Sequence, residues 1–362
     1  MQTVREWASD WFRRVLPNGQ AVSFAIMLVA GFVAVVSLGR ILMPVFAAGV
    51  IAYLLEGLVD LGVRRRVLPR LVWVIVVFNL FMALLTFVFV ALLPVLYQQS
   101  AQLIHQLPAW MNKAQMLVME LPERYPHFIN ETQIYEIVAV VRQDLLSYGQ
   151  SMLTYSYASL LSLISFIVYA ILVPLLVFFF LKDKSVIIDW FVQYLPRDRH
   201  LTTRVWREVD AQIGNYVRGK FFEVALLLAA SFVAFSLMGL NYALLLAVLM
   251  GLSVIIPYLG ATLVTFPVML VAFFQWGNTD EFWYLMLVYG IIQMVDGIVL
   301  VPLLFSEVVN LHPVAIMVAI LFFGGIWGFW GVFFAIPLAT LVRAVLRAWP
   351  RLGDGQPDTL GY

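Results

Sequence analysis

An aspartate, Asp296, stands near the middle of the apolar stretch YGIIQMVDGIVLVPLLF, residues 289–305. Tyr289, Gln293 and Asp296 follow i, i+4, i+7 spacing, so on a helix all three share one face. A carboxylate at the centre of a bilayer costs roughly 2.5–3.5 kcal/mol to place, and acids held there usually mark an ion or substrate path. The chemistry open to this group is binding of a proton or cation, or hydrogen bonding to a polar solute. A packed structural acid fits the same position. Gly297, beside it, leaves room for another backbone to approach.

Other polar groups carry weaker signals. Glu56 and Asp60 continue a polar stripe from Tyr53, and they read as interfacial acids paired with Arg64 or Arg65. The segment SEVVNLHP, 306–313, brings Asn310 and His312 together; His312 can change charge near neutral pH, and it equally fits a turn ahead of Pro313. GNYVRGK, 214–220, imitates a phosphate-binding loop, but Phe221 stands where magnesium needs a hydroxyl, and the motif lies in a helical pattern. Nucleotide binding is excluded on that ground, so transport, if present, is secondary or facilitated unless a separate ATPase assists. No G-x-S-x-G or H-E-x-x-H spacing occurs, and the chain reads as a non-enzyme. It has no cysteine, which excludes disulfides, zinc–thiolate sites and iron–sulfur clusters, and its four histidines lack ligand spacing. No cofactor or metal is expected; coupling would use protons or monovalent cations.

These residues sit in a chain that is 63% hydrophobic and 12% charged, with mean hydropathy +0.94. Soluble domains carry roughly 25% charged residues, so this composition specifies an all-α polytopic membrane protein. The net charge of +1 gives no footprint for nucleic acid. Apolar runs predict six full spans at about 21–39, 41–61, 71–97, 152–181, 221–239 and 282–305, each near the ~20 residues a crossing needs. The run from Ala21 to Gly39 is too long for a cleavable signal.

Two further runs, 241–275 and 313–347, are longer than one crossing and are interrupted. The first breaks at Pro257, Tyr258 and Gly260; the second breaks at Gly324, Gly325, Gly328 and Gly331. Each half of the first would reach ~24 Å, short of the ~30 Å hydrocarbon core. Two broken helical hairpins entering from opposite sides are expected, although two ordinary helix pairs satisfy the same parity. Inverted units with broken segments point to a transporter site near the midplane.

Lysine and arginine set the orientation. Both termini, the 62–70 link and 182–220 are expected in the cytoplasm, and 98–150 outside. The resulting division is 1–97, spans one to three; 98–150, a small helical extracytoplasmic cap; 151–181, span four; 182–220, a cytoplasmic amphipathic helix; 221–347, a transport unit; and 348–362, a disordered tail.

The segments NYVRGK, VIIPYLGA, DGIVLVPLLFSEVVNLHP and FFGGIWGFWGVFFAIPLATLVRAVLRAWP resemble the autoinducer-2 exporter family of bacterial permeases, and closely its PerM-type branch. The resemblance covers nearly the whole chain. It implies a multi-pass protein of the bacterial inner membrane, assembled as a homo-oligomer, a pentamer, with a pathway in each protomer. Some relatives export autoinducer-2, and others are linked to sodium or lithium/proton antiport. Many relatives carry Asn after the acid–Gly pair where this chain has Ile298, so any role of that Asn is absent here.

Three functions follow as expectations. The first is export of a small polar, autoinducer-2-like solute through a midplane site at Asp296, Gln293, Tyr289 and the two broken tips. The second is monovalent cation/proton antiport with Asp296 as the proton carrier. The third is a membrane scaffold with no transport, in which Asp296 would be dispensable. The expected partners are the lipid bilayer, the solute and further copies of the chain.

Overall fold

The computed structural model describes residues 19–65, 68–124, 159–194, 200–257, 259–305 and 311–348. Among these the regular structure is entirely helical. Helix α1 runs Gly19–Arg64. Helix α2, Arg70–Phe87, leads through a π turn at Val88–Leu92 into α3, Leu93–Arg124. Then come α4, Ser159–Lys182; α5, Lys184–Val192; and α6, His200–Leu237. The first interrupted run forms α7, Ala243–Ser253, and α8, Leu259–Trp276. Helix α9, Asp280–Val295, passes through a second π turn, Asp296–Leu300, into α10, Val301–Phe305. The second interrupted run forms α11, Pro313–Trp327, α12, Phe329–Phe333, and α13, Ala335–Ala348.

Among the described residues, five helices are long and apolar enough to cross a membrane, or six if the bent α4–α5 pair counts as one span. Large apolar side chains such as Leu237, Leu303 and Ile41 are exposed on them, as a lipid solvent permits. The chain is therefore a multi-pass, all-α membrane protein.

Three details differ from the sequence reading. The segments 21–39 and 41–61 form one helix, of which Ile41–Arg64 has the length and composition of a span. The division between them rests on Gly39 and Arg40, and a helix interior tolerates a glycine at a cost of about 1 kcal/mol; the helix also runs on through Pro44. The basic stretch 200–220 is helical, but it continues unbroken into the span as α6. The helix that turns away from a span is instead α5, bent 79° from α4. The expected cap is helical as far as Arg124, continuous with the preceding span. Residues 125–158 and the tail from 349 lie outside the described residues.

Both π turns share a sequence context, although Pro44, Pro174 and Pro267 lie inside helices that keep their α-helical form. Pro94 follows the first and Pro302 the second, each two residues beyond the turn's end. A proline ring would clash with the carbonyl four residues back, and a widened turn relieves that clash. The i+5 bonds are direct: Leu93 N–H donates to Val88 O, and Val301 N–H donates to Asp296 O.

The chain divides into two compact units, each assembled from distant pieces of sequence. One unit combines 1–77, 175–224 and 295–362; the other combines 78–174 and 225–294. The second unit has a core of Phe235, Leu246, Met250, Val268, Leu285 and Tyr289. On its rim Trp110 stacks on Phe274 with ring centroids 5.1 Å apart, and Gln99 Oε1 accepts from Leu245 N–H at 2.9 Å. In the first unit α11 packs on α13 through Ile316, Ala319, Ile320, Phe323 and Ala335.

Each interrupted run closes by the same device. A Cβ added at Gly260 would overlap the carbonyl of Ser253, and one added at Gly331 would overlap that of Phe323. Only glycine lets the returning helix approach so closely. At the second break Gly328 also takes φ +59°, a left-handed value that an L side chain rarely adopts.

Candidate functional site

In the unit formed by 1–77, 175–224 and 295–362, Asp296 is only 8% exposed. Its companions are Lys220 and Glu223, both on α6. Lys220 Nζ donates to Glu223 Oε2 at 2.7 Å, with side-chain exposures of 6% and 1%. The spacing i, i+3 places both on one face of α6. The Asp296 carboxyl lies within hydrogen-bonding reach of Glu223 and in the field of Lys220. Its Oδ1 is buried and finds no hydrogen-bond partner among the described residues.

The wall of this cluster is aromatic. Lys220 Nζ sits 5.2 Å from the centroid of the Phe305 ring. Tyr216 packs against Phe305 and Phe333, and its hydroxyl donates to Phe333 O at 3.0 Å. Gly219 makes room for Leu304 and Phe305, since a Cβ there would stand 3.0 Å from the Phe305 ring. The cluster holds two carboxyls and one ammonium, away from water. Two acids with one fixed base leave one negative charge to neutralise when both acids are ionised. Buried charges are retained only when paired, so the arrangement fits one exchangeable proton or small cation.

In the other unit Tyr289 and Gln293 form a separate polar network. Tyr289 shares a hydrogen bond of 2.7 Å with Thr265 Oγ1 and donates at 3.3 Å to Ala261 O. Gln293 Nε2 donates to Tyr289 Oη at 2.8 Å and contacts Met250 Sδ at 3.7 Å. Ala261 directly follows Gly260, so the network abuts the break of the first run. This joins Tyr289, Gln293 and Gly260 within one unit, together with Thr265 and Met250, which the sequence reading had not named. Pro257 sits in the turn of that break, and Tyr258 lies outside the described residues.

The remaining predicted residues are placed as follows. Gly324 faces Val332, with an added Cβ only 2.9 Å from its Cγ2; Gly325 and Gly328 have open space around the same position. His312 acts as a helix cap, its Nδ1 accepting from Val314 N–H at 3.3 Å at the start of α11. This is the turn role its sequence context allowed. Asn310 lies outside the described residues. Gly297 admits no neighbouring backbone: nothing described stands within 4 Å of an added Cβ. Glu56 pairs with Arg70 at 2.8 Å and Lys184 at 3.1 Å, not with Arg64 or Arg65. Tyr53 donates to Asp210, and the Arg218 guanidinium lies 6.0 Å from its ring.

Sequence reasoning passed over Lys220 and Glu223. Lys220 reads as one of the basic residues of 182–220 and as the lysine of a failed phosphate loop, yet Glu223 three residues on is a second acid inside an apolar span. That i, i+3 pair at the head of a greasy run was the available signal.

Comparison with known proteins agrees with the resemblance read from the motifs. A family model described as AI-2E family transporter matches residues 22–351. The chain is 46% identical over 355 residues to the Escherichia coli (strain K12) protein named "Putative permease PerM", covering 97% of this chain and 98% of that one. It is 25% identical over 315 residues to the Bacillus subtilis (strain 168) "Putative transport protein YueF", covering 86% of this chain and 84% of that one. A second protein of that organism, "Putative transport protein YrrI", is 23% identical over 313 residues, covering 86% and 87%.

Proposed function

The chain belongs to the AI-2E family of transporters, and from that premise we propose that it is a secondary transporter coupled through the Lys220–Glu223–Asp296 cluster. The observation that carries this reading is the buried Asp296 with an unpartnered oxygen, beside a second carboxyl and one ammonium. Such groups are costly within a membrane and are kept where ions or protons move. The cargo is a small polar, autoinducer-2-like solute. Tyr289, Gln293 and Thr265 supply hydroxyl and amide groups suited to it, next to the close turn at Gly260. The two interrupted runs act as re-entrant hairpins, a reading supported by the matching glycine closures at Gly260 and Gly331.

The protein would work in the bacterial inner membrane as a homo-oligomer, a pentamer, with one pathway per protomer. Both termini, the 62–70 link and 182–220 would face the cytoplasm. No nucleotide takes part, because Lys220 of the imitation phosphate loop is engaged by Glu223 inside a helix.

Monovalent cation/proton antiport is the second reading, favoured by the excess of one carboxyl over ammonium in the cluster. There the cation is itself the cargo. Purified protein in liposomes separates the two. Solute efflux that is lost in Asp296→Asn and needs a proton or cation gradient supports the first reading. Sodium- or lithium-driven pH change without solute, lost in the same variant, supports the second. Unaltered transport of both kinds in Asp296→Asn refutes a role for the cluster.

A further inference from the structure

The coupling cluster contains a cation of its own. Lys220 Nζ donates to Glu223 Oε2 at 2.7 Å, while Asp296 Oδ1 nearby has no partner. Glu223 is the least exposed of the three, at 1%. We propose that the Lys220 ammonium is a built-in occupant of the cation position, which holds Glu223 in the empty state and yields to an incoming monovalent cation. The proposal rests on the transporter reading above and adds the rule that regulates occupancy of the same site.

Charge and geometry argue for it. An ammonium and a small metal cation compete for the same carboxylate oxygen. Lys220 can release Glu223 at a reduced penalty, because the Phe305 ring lies 5.2 Å from its Nζ and offers a face to a desolvated ammonium. Its four-carbon stem gives the ammonium freedom to move while the backbone stays fixed. Asp296 Oδ1 supplies the second oxygen that an incoming ion needs, and that oxygen is not already engaged. The cluster has net charge −1 with both acids ionised, so one monovalent ion neutralises it and a second would overcharge it. Lys220 therefore limits occupancy to one and weakens binding enough to permit release. If Lys220 closes the site nine-tenths of the time, the apparent affinity falls roughly tenfold.

The test uses the full-length protein in nanodiscs, titrated with sodium or lithium against choline at constant ionic strength, with thermal stabilisation as the readout. Wild type should be stabilised by the small cation and not by choline. Lys220→Met should bind the same cation roughly tenfold tighter, and cation-coupled transport should fall because release is slowed. If wild type binds the cation and Lys220→Met binds it more weakly or not at all, Lys220 only positions the carboxyls, and the proposal is overturned with the transporter reading intact. If wild type does not respond to any small cation, the proposal is overturned whatever the variant does. Loss of transport in Asp296→Asn would still uphold the transporter reading in that case.

A second measurement needs no change at Lys220, should that variant fail to fold. Infrared difference spectra of wild type on exchanging choline for sodium should show two sets of shifted carboxylate bands, one lost in Glu223→Gln and the other in Asp296→Asn. If no band is lost in Glu223→Gln, the ion binds without displacing Lys220 from Glu223, and the proposal is overturned.

Discussion

Replacing Glu223 by glutamine strands an ammonium inside the protein. Lys220 is 5% exposed and its donor bond to Glu223 is 2.7 Å long. Removing one partner of a buried ion pair costs about 3–5 kcal/mol, because the other charge is left without compensation. Glutamine is nearly isosteric, so no cavity adds to that figure. The Phe305 face and Asp296 remain near the ammonium and offset part of the loss, which places the expectation at the low end, about 3 kcal/mol. Lys220→Met should cost a similar amount for the reciprocal reason. The double variant Lys220→Met/Glu223→Gln removes both charges, and such replacements are often neutral, so it should cost less than either single change. The assay is equilibrium unfolding of the detergent-purified protein in choline buffer, analysed as a double-mutant cycle. Additive costs in the double variant would refute the argument. So would single costs below about 1 kcal/mol, the scale of a solvated surface pair.

Three further outcomes follow from the same contacts. Gly260→Ala and Gly331→Ala should each lose about 1–3 kcal/mol or more, because the new methyl meets a backbone carbonyl that cannot rotate away; Gly297→Ala, with open space, should be neutral or slightly stabilising, and equal melting shifts in all three would contradict this. Tyr289→Phe removes the hydroxyl that joins Thr265, Ala261 and Gln293, so unfolding should become easier by about 1–2 kcal/mol and half-saturation by solute should rise; unchanged values of both would remove the network from the site. Glu56→Gln releases Arg70 and Lys184 from a carboxylate that is 13% exposed, so hydrogen exchange over Lys184–Val192 should accelerate while exchange over Ala243–Ser253 stays as it was.

The sequence alone determined the membrane class, since a chain this apolar has few other ways to satisfy its backbone. It also placed the two breaks, because Pro257 with Gly260 and the glycines from Gly324 to Gly331 interrupt otherwise continuous runs. It singled out Asp296, an acid in oil, and the spacing that joins Tyr289 to Gln293. What only the tertiary structure decided is who meets whom. Helix periodicity says which residues share a face, but not which other helix that face meets. Lys220 and Glu223 come to Asp296 from a helix far away in sequence, and Glu56 chooses Arg70 and Lys184 over the nearer Arg64 and Arg65. Such pairings are set by how helices stack in three dimensions. The unbroken α1 has the same kind of cause: glycine and arginine at 39 and 40 permit a break without requiring one, and local propensity of that size yields to packing.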